Sequence, residues 1–255
     1  MSLTEKRRQI RTLLYERSPA DAQAAYYAFH HPDEKTQLFT LAGRDGLAEG
    51  YLCLSRTGMD LFRPLLTMRL PYSPTDAGVN PESAASLLCS AVPASASVIV
   101  SAPENYYPIV SALFEIQGEQ RLRIMVLDQE KYKPIVNILV TQTETYNGLP
   151  RFLVRSAAGA GGVGSAEIAA SAGLNWRSPQ FAEIYVHTKP AFRRRGFGRS
   201  VVAALVQNTL DSGRIPLYAV GAENSASIQL AESVGFVDTG ATDVLLEGNF
   251  RPRPA

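Results

Sequence analysis

One segment constrains this chain more than any other: Glu183-Ile184-Tyr185-Val186-His187-Thr188-Lys189-Pro190-Ala191-Phe192-Arg193-Arg194-Arg195-Gly196-Phe197-Gly198-Arg199. Phe181–Thr188 reads as a strand, Pro190 breaks it, and Arg-x-x-Gly-x-Gly opens an amphipathic helix over 198–211. Val201, Val202, Leu205, Val206 and Leu210 form that helix's apolar face. The first turn of a helix leaves N–H groups without intrahelical acceptors, and its dipole adds partial positive charge there. Gly196 and Gly198 keep side chains out of the approach. Arg193, Arg194, Arg195 and Arg199 supply planar forks that suit phosphate oxygens. A pyrophosphate fits such a trap; a basic turn with no ligand is the alternative reading of the same residues.

The other elements are read around this segment. Helices are expected over 4–15, with Ile10, Leu13 and Leu14 on one stripe, and over 19–29. A hairpin follows at 37–42 and 48–54. A strand at 61–70, a helix at 80–92, a strand at 98–100, a helix at 107–116 and a strand at 122–127 complete the first half. Polar, Lys-rich 128–134 reads as a linker. The second half repeats the order, with strands at 151–155, 166–170 and Phe181–Thr188, then the helix at 198–211. A strand at 217–220, a helix over Ser225–Val234 closed by Gly235, and a strand at 244–246 finish it. Val100-Ser101-Ala102-Pro103-Glu104-Asn105 resembles Val220-Gly221-Ala222-Glu223-Asn224, which suggests two related α/β domains at 1–130 and 135–250. The first has Pro71-Tyr72-Ser73-Pro74 where the second has its arginine–glycine turn. The glycine run at 157–164 lacks a Gly-Lys-Ser/Thr ending and leads into no helix, so it reads as a hairpin turn.

Composition limits the partners. Lys plus Arg number 25 and Asp plus Glu 24, so no global field draws the chain to nucleic acid or an anionic membrane. No apolar run reaches the ~18 residues of a membrane span. The start, Met1-Ser2-Leu3-Thr4-Glu5-Lys6-Arg7-Arg8, lacks a signal's apolar stretch. A soluble cytoplasmic protein, monomer or homodimer, is expected. His30 and His31 point apart on a helix with no further His or Cys nearby, so no metal is expected. Cys53 and Cys89 sit among apolar residues and are expected to be buried free thiols. The tail at 251–255 is expected to be disordered.

The pattern from Val186-His187-Thr188 through Arg193-Arg194-Arg195-Gly196-Phe197-Gly198 resembles the acetyl-CoA signature of the GNAT superfamily of N-acetyltransferases. Family members continue with a strand and an Asn-opened helix. Here Asn224-Ser225-Ala226-Ser227-Ile228-Gln229-Leu230 leads to Gly235-Phe236. The resemblance covers roughly 151–246. It implies an α/β (α+β) fold: a mixed, mostly antiparallel, splayed sheet flanked by helices, acyl-CoA N-acyltransferase-like, with the N-terminal half as a degenerate copy.

It further implies acetyl-CoA as co-substrate. Its pantetheine arm would pair with Val186 and Thr188, with His187 between them. Its phosphates would lie on Arg193, Arg194, Arg195, Gly196, Phe197, Gly198 and Arg199, and Asn224 and Ser227 would face it. The acceptor is a primary amine of a small molecule or peptide. Such an amine must lose a proton before attack. Glu183 stands close to where histone-type members carry a catalytic glutamate, but one residue nearer the arginine motif. A salt bridge or a substrate contact are its other readings, and His187 is a second candidate base. Many members place a tyrosine proton donor where this chain has Ala231, which leaves Ser227, Tyr185 or water to protonate the thiolate. A non-catalytic acyl-CoA-binding sensor or scaffold is the competing function.

Overall fold

The computed structural model describes residues 1–58, 60–73, 78–156 and 167–251. Backbone packing divides the chain into two compact units, one of 1–122 with 241–255 and one of 123–240. Residues 241–250 of the last strand therefore group with the first unit, whereas the sequence reading placed them in a domain at 135–250.

In the first unit, α1 (Leu3–Gln9) starts in a capping box. Ser2 Oγ accepts the Glu5 N–H at 3.2 Å, and the Glu5 carboxylate accepts the Ser2 N–H at 2.6 Å. The helix expected over 4–15 stops there, and a 3₁₀ turn covers Arg11–Leu13. α2 (Ala22–Ala25) is also shorter than expected. It widens into a π-turn over Tyr26–His30, where Tyr27 packs against His31 with ring centroids 5.2 Å apart. β1 (Thr36–Ala42) pairs antiparallel with β2 (Ala48–Ser55), and β2 with β3 (Leu65–Arg69). Leu61 and Phe62, read as strand residues, precede β3 and are exposed.

A short ribbon of β4 (Tyr72–Ser73) and β5 (Gly78–Val79) leads to α3 (Pro81–Ala91). β6 (Ser97–Pro103) runs parallel to β3 and is followed by α4 (Tyr107–Leu113) and the long β7 (Phe114–Leu127). Helix was expected to continue to 116. Instead the chain turns extended at Phe114, whose ring packs 5.2 Å from that of Phe250.

The second unit holds β8 (Val140–Glu144), β9 (Pro150–Arg155), β10 (Ile168–Arg177), β11 (Phe181–Thr188) and β12 (Ile215–Gly221), in the order β12-β11-β10-β9-β8. Sequence reading missed β8. α5 (Phe197–Asp211) packs on β9, β10 and β11. Val201, Val202, Leu205 and Val206, the stripe read from periodicity, are fully buried there against Ala172, Ala182, Ile184 and Phe236. Full burial of each such aliphatic side chain contributes about 1.5–3 kcal/mol. α6 (Ser225–Val234) ends at Gly235, whose φ of 116° suits a left-handed cap. An added Cβ at Gly235 would meet the Tyr132 backbone at 2.9 Å, so the position excludes other residues twice over.

β13 (Phe236–Phe250) closes the chain, far longer than the 244–246 expected. Its residues 243–249 pair antiparallel with β6, and Val244, Leu246 and Phe250 complete the first unit's core with Leu66, Leu88 and Val100. The hairpin-turn reading for 157–164 lies outside the described residues, though the flanking β9 and β10 do pair antiparallel, and the disordered-tail reading for 251–255 lies outside them from 252 onward. No helix among the described residues is long and apolar enough to cross a membrane.

Candidate functional site

The site begins where two parallel strands part. β11 pairs with β10 from Ala182 to Thr188, but with β12 only at Phe181–Ile215, Ala182–Pro216 and Glu183–Leu217. Beyond Glu183 the β12 side of β11 has no strand partner among the described residues, so amide groups near Val186 face an opening that an extended ligand can fill.

The chain then turns through a 3₁₀ segment at Pro190–Phe192 into left-handed conformations at Arg194 (φ 61°) and Gly196 (φ 76°). Gly196 is the N-cap of α5 and offers no side chain to its amides. The first helical bond is from Ser200 N–H to Gly196 O at 3.0 Å. The N–H groups of Phe197, Gly198 and Arg199 meet no acceptor among the described residues. Arg193, Arg194, Arg195 and Arg199 are exposed around them. A Cβ on Gly198 would lie 2.9 Å from both Leu230 Cδ1 and Thr188 Oγ1, so glycine is what lets α5 approach β11 and α6 here.

α6 forms the facing wall. Asn224 Oδ1 accepts the Ser227 N–H at 3.1 Å, and Ser227 Oγ lies 2.8 Å from Tyr218 Oη. Tyr218 is buried against Phe236, and burial raises its phenol above the usual range, with the Ser227 bond acting the other way. The walls enclose a groove of about 670 Å³. Of the residues anticipated from sequence, Val186, His187, Thr188, Arg193, Arg194, Gly196, Phe197, Gly198, Arg199, Asn224 and Ser227 all line it. Arg195 instead lies over the Phe192 ring at 5.5 Å.

Glu183 does not line the groove. Ala182 and Ile184 enter the core with α5, and Glu183 turns to the other side of β11, 8% exposed. A register shift between Leu174 and Trp176 sets Trp176 opposite it. The Trp176 indole N–H donates to Oε2, and Asn175 Nδ2 donates to Oε1 at 2.9 Å. Sequence reading missed Asn175, Trp176 and Tyr218. For Tyr218 the signal was an aromatic on a short apolar strand just before an Asn-capped helix.

The corresponding place in the first unit is bonded shut. β3 and β6 also pair at three positions, Leu65–Ile99, Leu66–Val100 and Thr67–Ser101. There the next free amide, Leu70 N–H, donates to Tyr106 Oη at 3.3 Å, and the Asn80 side chain accepts the Ser83 N–H of α3 at 3.0 Å. In a hollow of about 270 Å³ near Asp60 and Phe62, Arg63 bridges Asp60 and Glu247. His30 contacts Glu16 and His31 contacts Thr36, and no group of three metal-ligating side chains occurs among the described residues. Cys53 is buried, its thiol pushed up to about 11 by desolvation. The expectation for Cys89 fails: it is free but exposed, on the outer side of α3.

A parallel pair that parts before an uncapped, arginine-ringed helix terminus defines an α/β domain of the acyl-CoA-binding type. The chain belongs to the GNAT acetyltransferase family, whose model matches residues 114–245. Members transfer acyl groups from acyl-CoA. Solved structures share the fold. A Drosophila protein aligns with TM-score 0.63 at 14% identity, covering 98% of this chain and 89% of that one. A GCN5-related N-acetyltransferase from Kribbella flavida gives 0.60 at 15%, covering 89% and 95%. A tandem GNAT protein from the clavulanic acid biosynthesis pathway gives 0.55 at 12%, covering 99% and 95%. No curated protein matches the chain.

Proposed function

We propose that this chain is an N-acetyltransferase moving an acetyl group from acetyl-CoA to a primary amine of a small molecule or peptide. The observation that carries this is the open N-terminus of α5, with three adjacent amides lacking acceptors among the described residues inside an arginine-lined groove. The diphosphate belongs on Phe197, Gly198 and Arg199 N–H with Arg193, Arg194 and Arg199 around it. The pantetheine amides belong along Val186 and Thr188, and the thioester lies toward the point where β11 and β12 part.

Direct attack by the amine forms a C–N bond and releases a thiolate. In this reading Ser227 protonates that thiolate, replenished from the Tyr218 hydroxyl 2.8 Å behind it, in a chain that has Ala231 where related enzymes carry a tyrosine. The amine's own proton needs a base. Glu183 is the carboxylate of this strand, but both its oxygens are already bonded. His187, exposed on the groove wall, is the alternative. The saturated Glu183 and the Ala231 substitution also favour a second reading, a module that binds acyl-CoA without turning it over.

Calorimetry with acetyl-CoA, followed by thiol release across a panel of amines, tests both. Binding with turnover of at least one amine supports the enzyme. Binding with no release above the buffer rate supports the module, and absence of binding removes both.

A further inference from the structure

The order β12-β11-β10-β9-β8 leaves β8 at a rim of the sheet, with no strand on its outer side among the described residues. Thr145 N–H donates to Leu149 O at 2.9 Å, one step beyond the run that pairs Val140 with Val154 and Glu144 with Pro150. An antiparallel ladder alternates, so Thr143 and Thr141 also spend their backbone groups on β9, while those of Val140, Gln142 and Glu144 point outward. The Val140 N–H is taken by Asn137 O at 3.0 Å. The Val140 carbonyl and both backbone groups of Gln142 and Glu144 are left on the rim.

Such rims are commonly guarded by lysine, proline or a bulge. β8 reads Val-Thr-Gln-Thr-Glu, its register with β9 is unbroken, and its one charge, Glu144, stands at its end. Thr141, Gln142, Thr143 and Glu144 are all exposed. The chain on either side of the strand also holds apolar side chains in the open. Val136 and Ile138 are each 92% exposed before it, Leu139 beside them is 53% exposed, and Tyr146 is 98% exposed beyond it. An unpaired ladder and bare apolar residues at both of its ends therefore coincide.

The register shows what fits there. Outward positions hydrogen-bond only with outward positions. When β8 meets a second β8 antiparallel about a two-fold axis at Gln142, Gln142 faces Gln142, and Val140 of each copy faces Glu144 of the other. No other register engages all three outward positions of both strands. This one sets Thr141 across from Thr143, a favourable cross-strand pair, and keeps the two Glu144 carboxylates from facing each other. Carried one step past each end, it brings Ile138 of one copy opposite Tyr146 of the other, so the apolar side chains bare on each copy cover one another. We propose that two copies of this chain associate through β8, joining the sheets of their second units across this axis. The groove lies along β11, with β10 and β9 between, so the association needs no acetyl-CoA and stands independently of the acyl-transfer reading.

Sedimentation velocity on the full chain, over a hundredfold range of concentration and without acetyl-CoA, tests this. A monomer–dimer equilibrium is expected. Gln142→Lys sets two ammonium groups face to face on the axis while keeping the backbone bonds to β9, so it should weaken the dimer at least tenfold with circular dichroism and Tm as in wild type. A second measurement reads the register itself, in a Cys89→Ser background that removes the exposed thiol. Thr141 and Thr143 of opposite copies form a non-hydrogen-bonded pair, with Cα atoms about 4.5 Å apart and within disulfide reach. An equimolar mixture of Thr141→Cys and Thr143→Cys should therefore cross-link under diamide at least tenfold faster than either variant alone. A monomer at every concentration overturns the proposal. A dimer of unaltered affinity in Gln142→Lys, or a mixture that links no faster than its components, overturns it as well.

Discussion

At the scale of single residues, Glu183 shows how two substitutions can separate chemistry from support. Glu183→Ala strands the Trp176 indole N–H and the Asn175 amide, at a cost of about 2 kcal/mol that thermal unfolding will register. Glu183→Gln retains an acceptor for Trp176, and a flipped Asn175 amide can accept from the new NH₂, so stability should stay within about 1 kcal/mol. Turnover lost in the glutamine variant at neutral pH, and partly recovered as pH rises, marks Glu183 as the base; a pH–rate profile matching wild type assigns it to support. Tyr218→Phe should keep acetyl-CoA affinity and slow thiol release several-fold at neutral pH, less so as pH rises and the thiolate needs no proton; unaltered release would remove the Tyr218–Ser227 pair from the reaction.

Two titrating groups of the first unit, buried His31 and half-buried Asp243, act oppositely on acid stability. His31 has its ring held neutral by burial, lowered from 6.5 to about 4, so it contributes stability above pH 6.5 that is lost as pH falls toward 4. Asp243, raised from 3.8 to about 6, costs stability above pH 6 and returns it over the same descent. Asp243→Asn should thus raise Tm at pH 7 by the equivalent of about 1–2 kcal/mol and make the fall in Tm from pH 6.5 to 4 steeper than in wild type. A parallel pair of Tm-against-pH curves would contradict this.

At the scale of elements, termini carry the function and also decide what a reader of the sequence can see. α5 and α6 were legible because each has a marked stripe and glycine or asparagine punctuation, and β11 was legible to the residue. The groove residues followed from that, since a strand–turn–helix places its members by connectivity alone. Glu183 was not placeable, because the register shift at Leu174/Trp176 leaves no trace in composition. The edges of β7 and β13 were equally hidden. Glu115-Ile116-Gln117-Gly118-Glu119-Gln120 alternates weakly and is polar, and it becomes strand only because its neighbours supply the ladder. The similarity of 100–105 to 220–224 was also a poor guide. Parallel pairing ends at Ser101 in one unit and Leu217 in the other, four and seven residues before the respective asparagines. For the helix terminus itself, Gly198→Val forces Thr188 or Leu230 aside and covers the open amides, so acetyl-CoA affinity should fall at least a hundredfold while the fold persists. Unchanged calorimetric affinity would relocate the diphosphate.

At the scale of the whole molecule, sequence order and structural unit disagree. The boundaries at 122/123 and 240/241 fall inside β7 and β13, so two single strands carry residues of both units. Removing 241–255 withdraws Val244, Leu246 and Phe250 from the first core, about 6 kcal/mol of apolar burial and comparable with the entire stability of a domain. That truncation should unfold residues 1–122, seen as new proteolytic cleavage there, and spare the groove of the second unit; the reverse pattern would refute the division. The same topology sets a schedule for synthesis. A nascent chain leaves the ribosome with its first hundred residues lacking a strand that is still being translated. Residues 1–122 are made before the strand that completes their core, and until β13 is translated the exposed rim of β6 is a place where chaperones, or a wrong partner, can dock.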